Sequence, residues 1–245
     1  MVGTEHYDSE LEEKYWWFVG RRLILRSLLD QHADHSPTDR PPQVLEVGCG
    51  AGGSLNLMSH YGSVVGTDTS MIALTHCRHH GKNQLIRADG CDLPFDSSSF
   101  DLVSALDVIE HIRDDKVALS EMHRVLKPHG LLALSVPAFK SLWSDHDIAL
   151  AHYRRYRRRE LKEKVESAGL RIVKLSFCIT TVMPGVFLFR NIQKLLSQNR
   201  EPREALIKLP TPINALLVMV LAFESMLLRW MNLPFGVSLT CLATK

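Results

Sequence analysis

The stretch Val44 to Gly53, VLEVGCGAGG, runs from apolar residues into a turn with glycines at 48, 50, 52 and 53. Glycine allows a tight turn and lets the backbone approach a bound group closely. A following helix would aim its free N–H groups at the same place. Gly48, Gly50 and Gly53 satisfy GxGxxG, a pattern that is weak by itself. Asp68 comes 20 residues after Gly48, where a carboxylate can accept hydrogen bonds from ribose hydroxyls. It could also cap the helix that begins in SMIAL. Asp89 lies in ADGCDLPF, and LDVIEHI carries Leu106, Asp107, Glu110 and His111. Imidazole titrates near neutrality, which makes His111, His146 and His152 candidates for general-base work. No activating base accompanies Cys49, so it reads as a small packing residue and not a nucleophile.

These residues need a frame, and the alternation of segments supplies one. QVLEVG, SVVGTD, NQLIRAD, FDLVSALD and GLLALSVP read as strands. Helices fall between them at about 53–60, 70–80 and 116–126. Strands alternating with helices predict a doubly wound α/β sheet. An insertion containing HYRRYRRR interrupts the alternation after Pro137. A helix, ELKEKVESAG, and two further strands, LRIVKLSF and GVSLTCLATK, complete the pattern. About 58 residues separate those last strands, far more than a hairpin loop of roughly 2–5. Apolar runs at 182–196 and 213–231 predict two helices there, and residues 10–30 predict one more at the N-terminus.

Composition narrows the class. The chain has 245 residues, with 29 basic against 27 acidic, a net charge of +2. That balance argues against binding nucleic acid through bulk charge. Five cysteines without a CxxC suit reduced thiols better than disulfides or zinc, and no metal is expected. The acidic start lacks a signal-peptide pattern, and the nearest approach to a spanning run, Leu209 to Phe223, stops at Glu224. A cytoplasmic protein is expected, with peripheral membrane contact as an alternative.

VLEVGCGAGG, VGTDTS, ADGCDLPF, FDLVSALDVIEHI and VLKPHGLLALSVP, in that order, resemble the successive motifs of class I S-adenosylmethionine-dependent methyltransferases. The small-molecule branch, including quinone-biosynthesis enzymes, is the most similar. The resemblance covers about residues 43 to 137 and implies a seven-stranded sheet whose last strand is antiparallel. It also implies roles. Glu46 would hold the glycine turn, and Gly48, Cys49 and Gly50 would pass under the methionine portion of the cofactor. Asp68 would bind the ribose, with Thr69, Asp89 and Gly90 at the adenine. The Leu106 carbonyl and Asp107 would face the methionine end.

SLWSDHDIALAHYRRYRRREL resembles an insertion found in a subset of the family, which implies acceptor contacts for Trp143, Asp145, Arg155 and Tyr156, with His152 beside them. Five arginines between 154 and 159 suit a phosphate or carboxylate, anionic lipid or RNA, or simply a solvated helix face. YWWFVGRR resembles the helix that related enzymes fold over the cofactor, which implies an N-terminal lid from which Arg21 would reach the methionine carboxylate. INALLVMVLAFESMLLRWMNLPF reads as a buried helix or dimer interface, a wall of an apolar pocket, or a membrane contact.

The expected organisation is one domain over 1–245. It comprises a lid and linker (1–40), a cofactor core (41–137), an acceptor-side insertion (138–160), and the remaining sheet (161–245) with a helical insertion at about 178–233. The expected function is methyl transfer from S-adenosylmethionine to a small-molecule or lipid-linked acceptor, at oxygen first. His111 and His152 are the candidate catalytic residues. The alternatives are an NAD(P)-dependent oxidoreductase using the same glycine turn and a non-catalytic protein of the same fold. Oligomeric state is left open.

Overall fold

Apolar side chains alternate between the two faces of the central strands, so one sheet supplies two cores. The computed structural model describes residues 13–33, 40–78, 84–188 and 209–245. Its strands are β1 (Gln43–Val47), β2 (Ser63–Asp68), β3 (Gln84–Arg87), β4 (Phe100–Leu106), β5 (Leu126–Pro137), β6 (Arg171–Cys178) and β7 (Ser238–Thr244). They form one seven-stranded sheet in the order β3-β2-β1-β4-β5-β7-β6. The first five run parallel, and β7 is antiparallel to both β5 and β6. The expected α/β sheet with its reversed last strand is therefore present.

The helices are α1 (Trp16–His32), α2 (Leu55–Met58), α3 (Met71–Arg78), α4 (Asp115–Val125), α5 (Asp145–Ala149), α6 (Arg158–Ser167) and α7 (Thr211–Trp230). Val44, Leu102, Ala133 and Leu242 face a core completed by Leu28, Leu55, Leu74 and Leu228. Leu45, Val103, Leu132 and Cys241 face the other, with Leu119, Met122, Leu161 and Val165. From β1 the chain steps outward through β2 and β3, then returns to place β4 on the other side. The C-terminal ends of β1 and β4 thus flank the switch point where ligands bind in such sheets.

α1 and α7 pack together although the pairing groups lie 198 residues apart: the Trp16 amide donates to Asn214 Oδ1 at 2.9 Å. Ser27 Oγ donates to the Ser225 carbonyl at 2.9 Å. Gly20 sits at the crossing, where a Cβ would lie 2.1 Å from Leu221 Cδ1. Only a residue without a side chain lets the helices approach so closely.

α7 is long and apolar enough, by length and composition, to cross a membrane. Its Leu221, Glu224, Ser225 and Leu228 are nevertheless buried in the fold. Glu224 accepts hydrogen bonds from the amides of Thr180 and Thr181 and from Thr181 Oγ1. One side of α7 thus packs into the fold, and Leu217 on the helix lines the cavity described below. Leu216, Met219, Phe223, Met226 and Trp230 remain exposed on its other side. The helix predicted at 182–196 is helical over 183–188, and its remainder lies outside the described residues, as does most of the linker before Pro41.

Gly20→Ala is expected to destabilise the protein by roughly 1–3 kcal/mol through overpacking. Combining it with Leu221→Ala should cost less than the sum of the single changes, because each relieves the other. Denaturant titration of the four proteins reads this. Strict additivity would contradict the close crossing.

Candidate active site

The C-terminal ends of the parallel strands open on a cavity of about 1080 Å³. Pockets for one small ligand usually span roughly 300–1,000 Å³, so two partners fit side by side. The turn after β1 forms one wall. Gly48 has φ +67°, and a Cβ there would strike Val108 Cγ2 at 2.5 Å. Gly50 has φ +54°, and a Cβ there would meet nothing within 4 Å, so its face is open.

At the end of β2, Asp68 braces this turn. Its Oδ2 accepts the Gly50 amide at 2.9 Å and its Oδ1 the Ser70 amide at 2.8 Å. Ser70 Oγ, and not Asp68, receives the Ala73 amide in the first turn of α3. Each Asp68 oxygen keeps a further acceptor position. Asp89 accepts the Cys91 amide at 2.9 Å, while Thr69 and Gly90 line the same wall. Glu46 is buried at the end of β1. The Cys49 thiol is pushed up, first by its hydrogen bond with Cys77 and then by burial, which fits a packing role.

β4 ends in Leu106, and Asp107 follows in the left-handed region at φ 56°. Backbone strain of this kind gathers at functional sites. Ser135 Oγ donates to Asp107 Oδ1 at 2.9 Å. The other Asp107 oxygen is ion-paired with Arg21 of α1. The predicted lid thus reaches the end of β4, and Arg21 meets a protein carboxylate there.

The next turn, a single 3₁₀ turn at Ile109–His111, carries a group that the sequence reading did not select. Glu110 is fully buried, and neither carboxylate oxygen has a hydrogen-bond partner among the described residues. Burial, and then the negative charge of Asp107, push its carboxyl well above the ordinary value. Beside it, the His111 and His152 rings meet edge to face, with centroids 4.5 Å apart. His111 keeps an exposed edge, and the protein atoms packed around its ring, and then His152, push it down to about 4, so its imidazole is neutral at neutral pH.

Asp147 organises the insertion from beneath. It is fully buried, and its Oδ1 binds His152 Nδ1 at 3.0 Å and accepts from Arg155 Nε at 2.6 Å. Burial opposes its ionisation, but His152 and Arg155 hold its carboxyl well below the ordinary range.

Glu46, Gly48, Cys49, Gly50, Asp68, Thr69, Asp89, Gly90, Leu106, Asp107, Arg21, His111, His152 and Arg155 all border the one cavity. Trp143, Asp145 and Tyr156 are not among its lining residues. Tyr156 is fully buried, its hydroxyl donating to Asp115 Oδ2 at 2.7 Å with the Ile109 carbonyl 3.2 Å away. It braces the turn from behind and cannot meet an acceptor. Arg155 is 2% exposed and donates to Asp147 and to the Ala138 carbonyl. Its guanidinium braces the insertion from the border of the cavity. Of that cluster, Arg157, Arg158 and Arg159 are exposed.

Residues 45–134 match a family profile described as a methyltransferase domain. A protein of Mycolicibacterium smegmatis named as a probable S-adenosylmethionine-dependent methyltransferase is 29% identical over 166 residues, covering 66% of this chain and 62% of that one. The demethylmenaquinone methyltransferase of Staphylococcus carnosus is 38% identical over 89 residues, covering 32% of this chain and 37% of that one. The matched stretches therefore span between about one third and two thirds of these relatives. A solved S-adenosylmethionine-dependent methyltransferase of Archaeoglobus fulgidus shares the fold, with a TM-score of 0.59 and 21% identity over 98% of this chain and all of that one.

The back of the site rests on Asp115, which receives the Tyr156 hydroxyl and ion pairs from Lys164 and Arg154. Burial opposes its ionisation, yet the hydrogen bonds from Lys164 and Tyr156 outweigh it and hold its carboxyl below the ordinary value. A depressed carboxyl adds stability above its unfolded value and loses it as pH falls through the folded one. Asp115→Asn should therefore cost roughly 1.5–3 kcal/mol at neutral pH. The deficit should shrink once pH falls below about 4. Urea unfolding at pH 7 and pH 3 measures both, and an equal deficit at the two would contradict the assignment.

Proposed function

We propose that the chain is a class I S-adenosylmethionine-dependent methyltransferase, a reading supported by the methyltransferase-domain match over residues 45–134 and by the relatives so named, and that it methylates an oxygen atom of a small, largely apolar acceptor. The observation that carries the donor side is the open face of Gly50 beside the Asp68 carboxylate. A ligand backbone can lie against that face without displacing any side chain. S-adenosylmethionine, when bound, supplies an electrophilic sulfonium methyl group.

Asp68 would accept the ribose hydroxyls on its remaining lone pairs. Thr69, Asp89 and Gly90 would border the adenine, and Glu46, Gly48, Cys49, Leu106 and Asp107 the methionine portion. Arg21 would exchange part of its contact with Asp107 for the methionine carboxylate. The protein's task is then to align two reactants and exclude water. Trp16 and Trp17 from α1, Val182, Val186 and Leu217 give the cavity a greasy wall. That wall favours an apolar ring or lipid-like acceptor, in keeping with the demethylmenaquinone enzyme among the relatives. A neutral His111 can take a hydroxyl proton as the oxygen attacks, and His152, held through Nδ1 by Asp147, is the second candidate base.

Calorimetric titration with S-adenosylhomocysteine, with NAD and NADP as controls, tests the donor side. Binding to the first alone is expected, weakened in Asp68→Ala by roughly 1.5–3 kcal/mol. No binding by the folded protein, or selective binding of a nicotinamide cofactor, would contradict the proposal. Turnover on phenolic and quinol-like acceptors, followed by mass spectrometry, tests the acceptor side: methylation only at carbon or nitrogen would overturn the choice of oxygen.

A further inference from the structure

We propose that Glu110, His111 and His152 form a binding site for a divalent transition-metal ion on the acceptor side of the cavity. The ligand-capable atoms of the three residues all lie within 4.8 Å of one another. Ligands on a tetrahedral ion, at bonds of about 2.0–2.2 Å, stand roughly 3.4 Å apart. Small side-chain rotations therefore close the set. All three residues line the cavity, so an ion has a path in.

A second observation points the same way. The Glu110 carboxylate is fully buried, and both of its oxygens lack a hydrogen-bond partner among the described residues. Buried carboxylates in proteins are paired or coordinate metals. No described side chain hydrogen-bonds it, the charges of Arg21 and Arg155 act on it without an ion pair, and a cation between it and the two imidazoles would pair it directly.

The supporting shell is also in place. His152 Nδ1 is bound to Asp147 Oδ1 at 3.0 Å, which leaves Nε2 as the coordinating nitrogen. A carboxylate behind a histidine in this way fixes the ring and raises its basicity as a ligand. Glu110 and His111 share one 3₁₀ turn, and the Glu110 carbonyl accepts the Tyr153 amide at 2.8 Å, tying that turn to the loop that carries His152. The three ligands thus sit on two segments fastened to each other.

Two imidazoles and one carboxylate suit zinc, iron(II) or manganese(II), and such a set leaves coordination positions open. Bound there, an ion would occupy the imidazole lone pairs, so in the metal-loaded protein the ion, holding an acceptor oxygen and lowering its proton affinity, would replace a histidine base. That role rests on the proposed methyl transfer, whereas the binding itself does not.

The test uses the whole chain, stripped with a chelator and titrated with Zn²⁺ by calorimetry and with Co²⁺ by visible absorption. One equivalent of either ion is expected to bind, with cobalt bands in the visible range. Glu110→Gln and His152→Gln should each weaken Zn²⁺ binding about 10-fold or more. His60→Gln, at an exposed position beyond α2, should leave it unchanged. Circular dichroism establishes that each variant is folded, and His111→Gln replaces His152→Gln should the latter unfold. Absence of stoichiometric binding, or wild-type affinity in the folded ligand variants, overturns the site. A parallel titration of the stripped protein with S-adenosylhomocysteine separates that failure from failure of the methyl-transfer reading.

Discussion

Asp147 binds Ser144, His152 and Arg155 to one fully buried carboxylate. In the segment after β5, Ala138, Leu142 and Tyr156 are buried among apolar neighbours, and this charge cluster joins the residues between them. Arg155 extends the cluster to the Ala138 carbonyl at the end of β5. His152 extends it into the cavity. Removing the carboxylate would leave Arg155 as a buried, uncompensated charge, a change that typically costs about 3–5 kcal/mol. The ionised, paired Asp147 thus ties His152 and Arg155, both at the border of the cavity, to one point.

The glycine-turn side of the cavity is built from backbone geometry and one carboxylate, Asp68. The parallel register brings Val47, Thr67 and Ala105 level, so the residues that follow emerge along one edge. Gly48 turns the chain under Val108, and Asp68 pins that turn from the neighbouring strand. The two halves meet at Asp107, where a strained backbone, Ser135 and Arg21 converge. α1 brings Arg21 there, and α7 holds α1 through the Gly20 crossing. A helix near one end of the chain and another near the other thus position one cation at the centre.

The glycine turn, Asp68 and Asp89 were legible in the sequence because local rules fix them. A strand that ends in a glycine turn has few other structures open to it, and spacing alone puts the acids at the same edge. Glu110 and Asp147 were not legible. Their side chains look like ordinary acids in polar segments, and their importance comes from burial, which tertiary packing decides. The arginine-rich run shows the same limit. Nothing local distinguishes Arg155, turned inward, from Arg157 on the surface. The strand bridge between Ala138 and Tyr156 makes that choice. Gly20 was similarly silent, since its reason is Leu221, about two hundred residues away.

The central claim is that one cavity seats a donor along the Gly48–Gly50 turn and an acceptor against Glu110, His111 and His152. A crystal structure of the protein with S-adenosylhomocysteine tests it most directly. The account predicts the ribose on Asp68 and the homocysteine sulfur turned toward the two histidines across open space. A ligand seated elsewhere, or a sulfur facing away from His111 and His152, would contradict it.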